Sequence, residues 1–206
     1  MSKKIGMISL GCPKNQVDAE LMLARLAQKG YVITDEVDGA DAVIINTCGF
    51  IEDAKKEAIE NILDMAELKK EGIIGKIIVT GCLAERYREE MLTEIPEIDA
   101  VVGLGSNGDI CAVCERVIQG ETGLETFGEK TCLPLSGERL LTTPEWFCLF
   151  KNRRGVLQPL HLLRHSVHTR RVPFPPVRGN FGRSERFSGA RCERIGGCRA
   201  GYHPLR

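Results

Sequence analysis

The sequence predicts an α/β fold for residues 1–120, with an open parallel sheet and helices on both faces. Short runs rich in β-branched residues alternate with longer stretches of helical periodicity, and glycine or proline often separates them. We expect strands at 4–10, 31–34, 42–46, 76–80 and 100–102. We expect helices at 17–29, 51–70, 85–94 and 109–119.

Each expected helix shows an apolar face or a stop signal. The first helix places its leucines on an inward face, and it is followed by Gly30, a common helix terminator. The third ends before Pro96, and the fourth ends at Gly120. The second repeats apolar residues at helical spacing, namely Ile51, Ala54, Ala58, Ile62, Met65 and Ala66.

Three of the short apolar runs end just before a cysteine. The carboxyl ends of strands in an open α/β sheet line one edge, where ligands bind, so three thiols there can converge. Three soft ligands at one point suit an iron–sulfur cluster with one iron left open. A single cysteine in such a place would more simply be a small buried apolar residue, but the recurrence favours a ligand role. The candidate ligands are Cys12, Cys48 and Cys82.

Charge and composition change near residue 150. Residues 1–150 carry 15 lysines and arginines against 26 aspartates and glutamates, whereas residues 151–206 carry 13 against 2. The second stretch also holds all four histidines and five of the nine prolines. We expect 121–150 to be a linker and 151–206 to be a disordered basic tail, because the tail cannot bury enough apolar area to offset its ordering entropy.

No apolar run approaches the ~20 residues that cross a bilayer, and the N-terminus lacks the apolar core of a secretory signal. We therefore expect a cytoplasmic protein. Nine cysteines in a reducing compartment are poor disulfide candidates, which favours metal binding or redox chemistry.

Other motifs carry weaker signals. Cys111 and Cys114 form a CxxC inside a predicted helix, and no second pair completes four zinc ligands, so packing is the simpler interpretation. The glycine-rich stretch 103–108 lacks the ending of a P-loop and is expected to be a turn. The arginine-rich tail could contact nucleic-acid phosphates, although a disordered segment without a partner explains it as well. No ligand role is expected for Cys132, Cys148, Cys192 and Cys198.

Longer motifs over residues 1–150 resemble the methylthiotransferases of the radical S-adenosylmethionine superfamily. The similar segments read Ser-Leu-Gly-Cys-Pro-Lys-Asn (9–15), Asn-Thr-Cys-Gly-Phe-Ile (46–51), Thr-Gly-Cys (80–82), Pro-Glu-Ile-Asp-Ala-Val-Val-Gly (96–103) and Leu-Leu-Thr-Thr-Pro (140–144). The Cys-Pro-Lys-Asn and Thr-Cys-Gly-Phe-Ile motifs resemble the branch that modifies a small-subunit ribosomal protein more than the transfer-RNA branch.

The resemblance implies that Cys12, Cys48 and Cys82 hold an auxiliary [4Fe–4S] cluster whose fourth iron accepts an exogenous sulfur species. It also implies a following barrel, in which a second cluster on a CxxxCxxC motif cleaves S-adenosylmethionine. The family then installs a methylthio group on an aspartate side chain of the ribosomal protein. No specific nucleic acid and no membrane are expected as partners.

The sequence departs from the family after residue 151, because none of its nine cysteines forms a CxxxCxxC. Possible codons read one base later permit the family's Lys-Ile-Ala-Glu-Gly from residue 151 and Gln-Asp-Thr-Thr-Arg-Tyr within 200–206. They also permit cysteine at CxxxCxxC spacing across Val156/Leu157, Leu160/His161 and Leu163/Arg164. We hypothesise that 151–206 is a shifted-frame translation of the barrel, which resequencing of the coding DNA would test.

The sequence therefore predicts the cluster-binding half of a methylthiotransferase, inactive by itself because it lacks the second cluster. Two other classes stay open. One is a non-catalytic iron–sulfur or sulfur-carrier module, and the other is a flavodoxin-like nucleotide binder with incidental cysteines. A member of the transfer-RNA-modifying branch is a further alternative. Iron uptake distinguishes the cluster-binding classes from the flavodoxin-like one.

Overall fold

The computed structural model describes residues 2–129, 137–144 and 147–149, and in them the predicted α/β fold is confirmed. The predicted basic tail, 151–206, lies outside the described residues. In chain order the helices and strands are β1 (Lys4–Ser9), α1 (Pro13–Gln28), β2 (Val32–Thr34), β3 (Ala42–Thr47), α2 (Glu52–Lys70), β4 (Ile77–Gly81), α3 (Cys82–Glu94), β5 (Ala100–Val102), α4 (Ile110–Ile118) and β6 (Leu124–Thr126).

The strands form one six-stranded sheet in the order β2-β1-β3-β4-β5-β6, and all neighbours are parallel. The order reverses beside β1, because the chain goes from β1 to β2 on one side and then to β3 on the other. In such sheets the crevice at this reversal is where ligands usually bind.

Two apolar layers cover the two faces of the sheet. One layer packs α1 and α4 against it, with Met22, Leu26 and Val113 buried. The other packs α2 and α3 on the opposite face, with Ile62 and Leu83 buried. Each fully buried aliphatic side chain of this size contributes roughly 2 kcal/mol, so helices on both faces hold the central strands in place.

The structure differs from the sequence prediction at four places. Helix α1 begins at Pro13, four residues earlier than expected, because proline is well suited to the first helical turn. Helix α3 begins at Cys82 and is kinked at Arg88, which has a positive φ of 27°. Strand β6 was not predicted, and the glycine-rich stretch expected to be a turn contains a 3₁₀ helix, Leu104–Asp109.

Among the described residues, no helix combines the length and the apolar character needed to cross a bilayer.

A buried carboxylate joins α2, β4 and β5. Asp99 is fully buried, and its Oδ2 accepts hydrogen bonds from the Ile77 backbone N–H at 2.9 Å and the Lys69 Nζ at 2.5 Å. Its Oδ1 accepts from the Lys76 Nζ at 3.0 Å. A buried charge is stable only when it is compensated, and here two ammonium groups and a backbone donor compensate it.

We expect Asp99→Asn to lower the free energy of unfolding by about 3 kcal/mol, because the change leaves two lysines without their counter-charge. Urea denaturation of this chain followed by circular dichroism measures the difference. The exposed Asp38 provides the control, since Asp38→Asn should change the free energy by less than about 0.5 kcal/mol. Equal effects of the two substitutions would contradict this role for Asp99.

Candidate functional site: the cysteine rim

Parallel register brings the carboxyl ends of three central strands together. Ser9 of β1 lies opposite Asn46 of β3, and Asn46 lies opposite Thr80 of β4. One candidate cysteine follows each of these positions within three residues. We call this group the cysteine rim; its members are Cys12, Cys48 and Cys82.

Asn15 lies between two of the rim thiols. Its Oδ1 lies 4.0 Å from Cys12 Sγ and 3.8 Å from Cys82 Sγ, so it accepts a weak hydrogen bond from each thiol. The two sulfurs therefore lie no farther apart than the sum of these distances, although 70 positions separate the residues in the chain.

The third thiol packs against the residue before Cys12. Gly11 has a φ of +109°, and a Cβ built on it would lie 2.5 Å from Cys48 Cβ and 3.1 Å from Cys48 Sγ. Only glycine leaves room for this approach at this backbone conformation. The structure thus brings all three predicted ligands to the same rim of the sheet.

Asn15 also ties together the loops that carry the thiols. It is 2% exposed, and its Nδ2 donates to the Thr47 carbonyl at 2.8 Å and the Leu10 carbonyl at 3.4 Å. The Asn46 Nδ2 in turn donates to the Asn15 carbonyl at 2.8 Å. Sequence reasoning noted Asn15 only inside a family motif, although its position three residues after Cys12 places it in the first turn of α1.

A second glycine starts the helix that carries the last thiol. Gly81 has a φ of +102°, and a Cβ there would lie 2.2 Å from the Thr47 carbonyl oxygen. The missing side chain lets β4 end directly against β3, so that Cys82 begins α3 at the rim.

The rim is partly open to solvent. Cys48 is buried, whereas Cys12 and Cys82 are partly exposed. Beside Cys48, the apolar side chains of Phe50 and Ile51 are 38% and 54% exposed. A reagent can therefore approach the thiols, and an apolar surface lies next to them.

Among the described residues, no three histidine, cysteine or acidic side chains are arranged to hold one metal ion. An iron–sulfur cluster makes a different demand, because each thiolate binds a separate iron and the sulfurs stand farther apart than around one ion. Three thiols at one rim of the sheet, two of them partly exposed, form a donor set that suits a cluster.

The CxxC pair lies away from the rim. Cys111 and Cys114 are on α4, and desolvation raises the pKa of the Cys111 thiol and raises that of Cys114 to about 12. Lys29 and Arg25, near the far end of α1, partly offset the effect on Cys111. Helix α1 has 16 residues and is about 24 Å long, so its length separates this pair from Cys12. Cys132, Cys192 and Cys198 lie outside the described residues.

Known proteins show the same sequence features. Residues 4–103 match the family model described as "Uncharacterized protein family UPF0004". The "Ribosomal protein uS12 methylthiotransferase RimO" of Thermoanaerobacter sp. is 49% identical over 154 residues, 74% of this chain and 35% of the relative. The protein of that name from Solibacter usitatus is 42% identical over 184 residues, 89% and 37%. The one from Clostridioides difficile is 58% identical over 114 residues, 55% and 26%. This chain thus spans about a third of their length.

We expect Gly11→Ala to destabilise the fold more than Gly30→Ala. Both glycines have a positive φ, 109° and 90°, but a Cβ at Gly30 meets nothing within 4 Å. The Gly30 variant should lose about 1 kcal/mol from backbone strain alone. The Gly11 variant should lose about 3 kcal/mol or more, since Cys48 must also move. Chemical denaturation of both variants measures this, and equal losses would show that Gly11 and Cys48 are not in close contact.

Proposed function

Because the N-terminal region of this chain belongs to the family of RimO-type methylthiotransferases, we propose that it binds one [4Fe–4S] cluster through Cys12, Cys48 and Cys82. We extend the proposal to the whole enzyme of this family. It would use S-adenosylmethionine to add a methylthio group to an aspartate of ribosomal protein uS12. The convergence of three thiols at one rim of the sheet is the observation that supports it most strongly.

The thiolates would be the ligands, and Asn15 would hold their loops in place through its hydrogen bonds to the Leu10 and Thr47 carbonyls. When bound, such a cluster supplies an iron with an open coordination position for a sulfur species. The partial exposure of Cys12 and Cys82 gives that species a path to the rim. Phe50 and Ile51 offer an apolar surface that a following domain or the substrate would cover.

We also propose that these 206 residues do not transfer a methylthio group alone. The family uses a second cluster to cleave S-adenosylmethionine, and the sequence contains no CxxxCxxC to hold one. The rim would then be the sulfur-accepting half of the reaction, located in the cytoplasm with its ribosomal substrate. Radical chemistry would come from the second cluster of the family, for which these 206 residues contain no CxxxCxxC motif.

Anaerobic reconstitution with iron and sulfide tests cluster binding. We expect about four irons per chain after unbound iron and sulfide are removed anaerobically, together with charge-transfer absorption in the visible range. Cys12→Ala, Cys48→Ala and Cys82→Ala should each remove most of this iron, because two thiolates do not hold the cluster. Circular dichroism of the iron-free variants shows whether the fold is intact.

Cys111→Ala is the matched control, since this thiol is also partly exposed but lies away from the rim. It should take up as much iron as the parent chain. Equal iron in the rim variants and the parent, or no iron in either, would contradict the proposal. The reconstituted chain, supplied with S-adenosylmethionine, a reductant and uS12, should leave the mass of uS12 unchanged, and a methylthio adduct would contradict its proposed inactivity.

A further inference from the structure

Residues 137–144, which we call the strap, lie along α1 in the opposite direction. At one end, the Gln28 Nε2 donates to Glu138 Oε2 at 2.5 Å. Farther along, the Leu140 N–H donates to the Glu20 carbonyl at 3.1 Å, and the Gln16 Nε2 donates to Thr142 Oγ1 at 3.2 Å. As the strap residue number rises, its partner on α1 comes closer to the N-terminal end of the helix.

A buried carboxylate is at the centre of this contact. Glu20 is fully buried, and its Oε2 accepts from both the Nε of Arg139, at 2.9 Å, and its Nη2. Its Oε1 accepts from the Thr142 N–H and Oγ1, each at 3.1 Å. Among the described residues, every hydrogen bond that the Glu20 carboxylate accepts is donated by the strap. Arg139 has only 7% of its side chain exposed, so the pair is shielded from solvent.

An ionised carboxylate at a buried helix position needs compensation, or it destabilises the protein that carries it. The strap supplies an arginine fork and two further donors to Glu20, which is more than an adventitious surface contact would give. The exposed pair Arg116–Glu121, with side chains 52% and 47% exposed, illustrates the weaker kind of contact.

Because the strap runs antiparallel to α1, its last residues lie near the N-terminal end of that helix. Thr142 meets Gln16, and the Gln16 N–H donates to the Cys12 carbonyl at 3.2 Å, so the end of the strap lies about one helical turn from the cysteine rim. We propose that Glu20 is a positioning residue: its buried carboxylate holds the strap on α1, with Thr142 near the rim, and through Arg139, whose Nη1 donates to the Leu149 carbonyl at 2.5 Å, it also keeps Leu149 against this contact. The docking of the strap on α1 does not depend on a bound cluster. Only the importance of its position near the rim rests on the proposed function.

Hydrogen exchange of the iron-free 206-residue chain tests the docking. In Arg139→Gln, we expect the Leu140 and Thr142 amides to exchange roughly a hundredfold faster, because the change removes the charge that compensates Glu20. The substitution lies on the strap, so the amides in the core of α1 should keep their protection. Glu20→Gln should give the same increase at both amides. Arg116→Gln is the control and should leave strap exchange unchanged. Unchanged exchange in Arg139→Gln would overturn the proposal.

Zero-length carbodiimide cross-linking tests the direction. In Gln28→Lys, the introduced amine should form an amide with Glu138, which peptide mass spectrometry identifies. In Gln16→Lys, on the same helix but near the rim, no cross-link to Glu138 is expected. Adding Arg139→Gln to Gln28→Lys should lower the yield of this cross-link about tenfold, because the strap leaves α1. A cross-link from position 16, or a yield that Arg139→Gln does not change, would overturn the proposal. Neither measurement uses iron, so both are independent of cluster binding.

Discussion

The cysteine rim depends on the parallel register of β1, β3 and β4. Side chains alternate between the two faces of a strand, so a slip of one residue would exchange the faces of a whole strand and displace the loop that follows it. Every residue of β3 and β4 is buried, with helices packed on both faces. Because both faces are packed, the register is fixed, and the three loops start from fixed points.

Hydrogen bonds of Asn15 and close backbone contacts at two glycines then hold the three loops together. The sheet places the loops within reach of each other, but Gly11 and Gly81 allow the close backbone approach, and Asn15 links the loops by hydrogen bonds. The site is therefore built on backbone conformation and amide groups. This leaves Cys12 and Cys82 partly exposed above strands β3 and β4, which are fully buried.

The sequence carried much of this architecture. Apolar runs and helical periodicity located five of the six strands and all four α-helices, and the position of Cys12, Cys48 and Cys82 after strands predicted their meeting point. Strand β6 was missed because its three residues are exposed or only partly buried, and so short a segment has little periodicity to detect. The partners of Asn15 and of Glu20 are distant in the chain, so local patterns could not reveal them. Whether the thiols bind iron stays a prediction.

The scattered origin of the rim has a consequence for biosynthesis. A CxxxCxxC loop is continuous, so its thiols are close together even in an unfolded polypeptide. Here the thiols come from three separate crossovers, and no precursor shorter than 82 residues contains them all. The rim exists only once β3 has paired with both β1 and β4. Delivery of iron for the proposed cluster would therefore follow the pairing of these strands, and an unfolded chain would offer the cell's assembly machinery no preformed target.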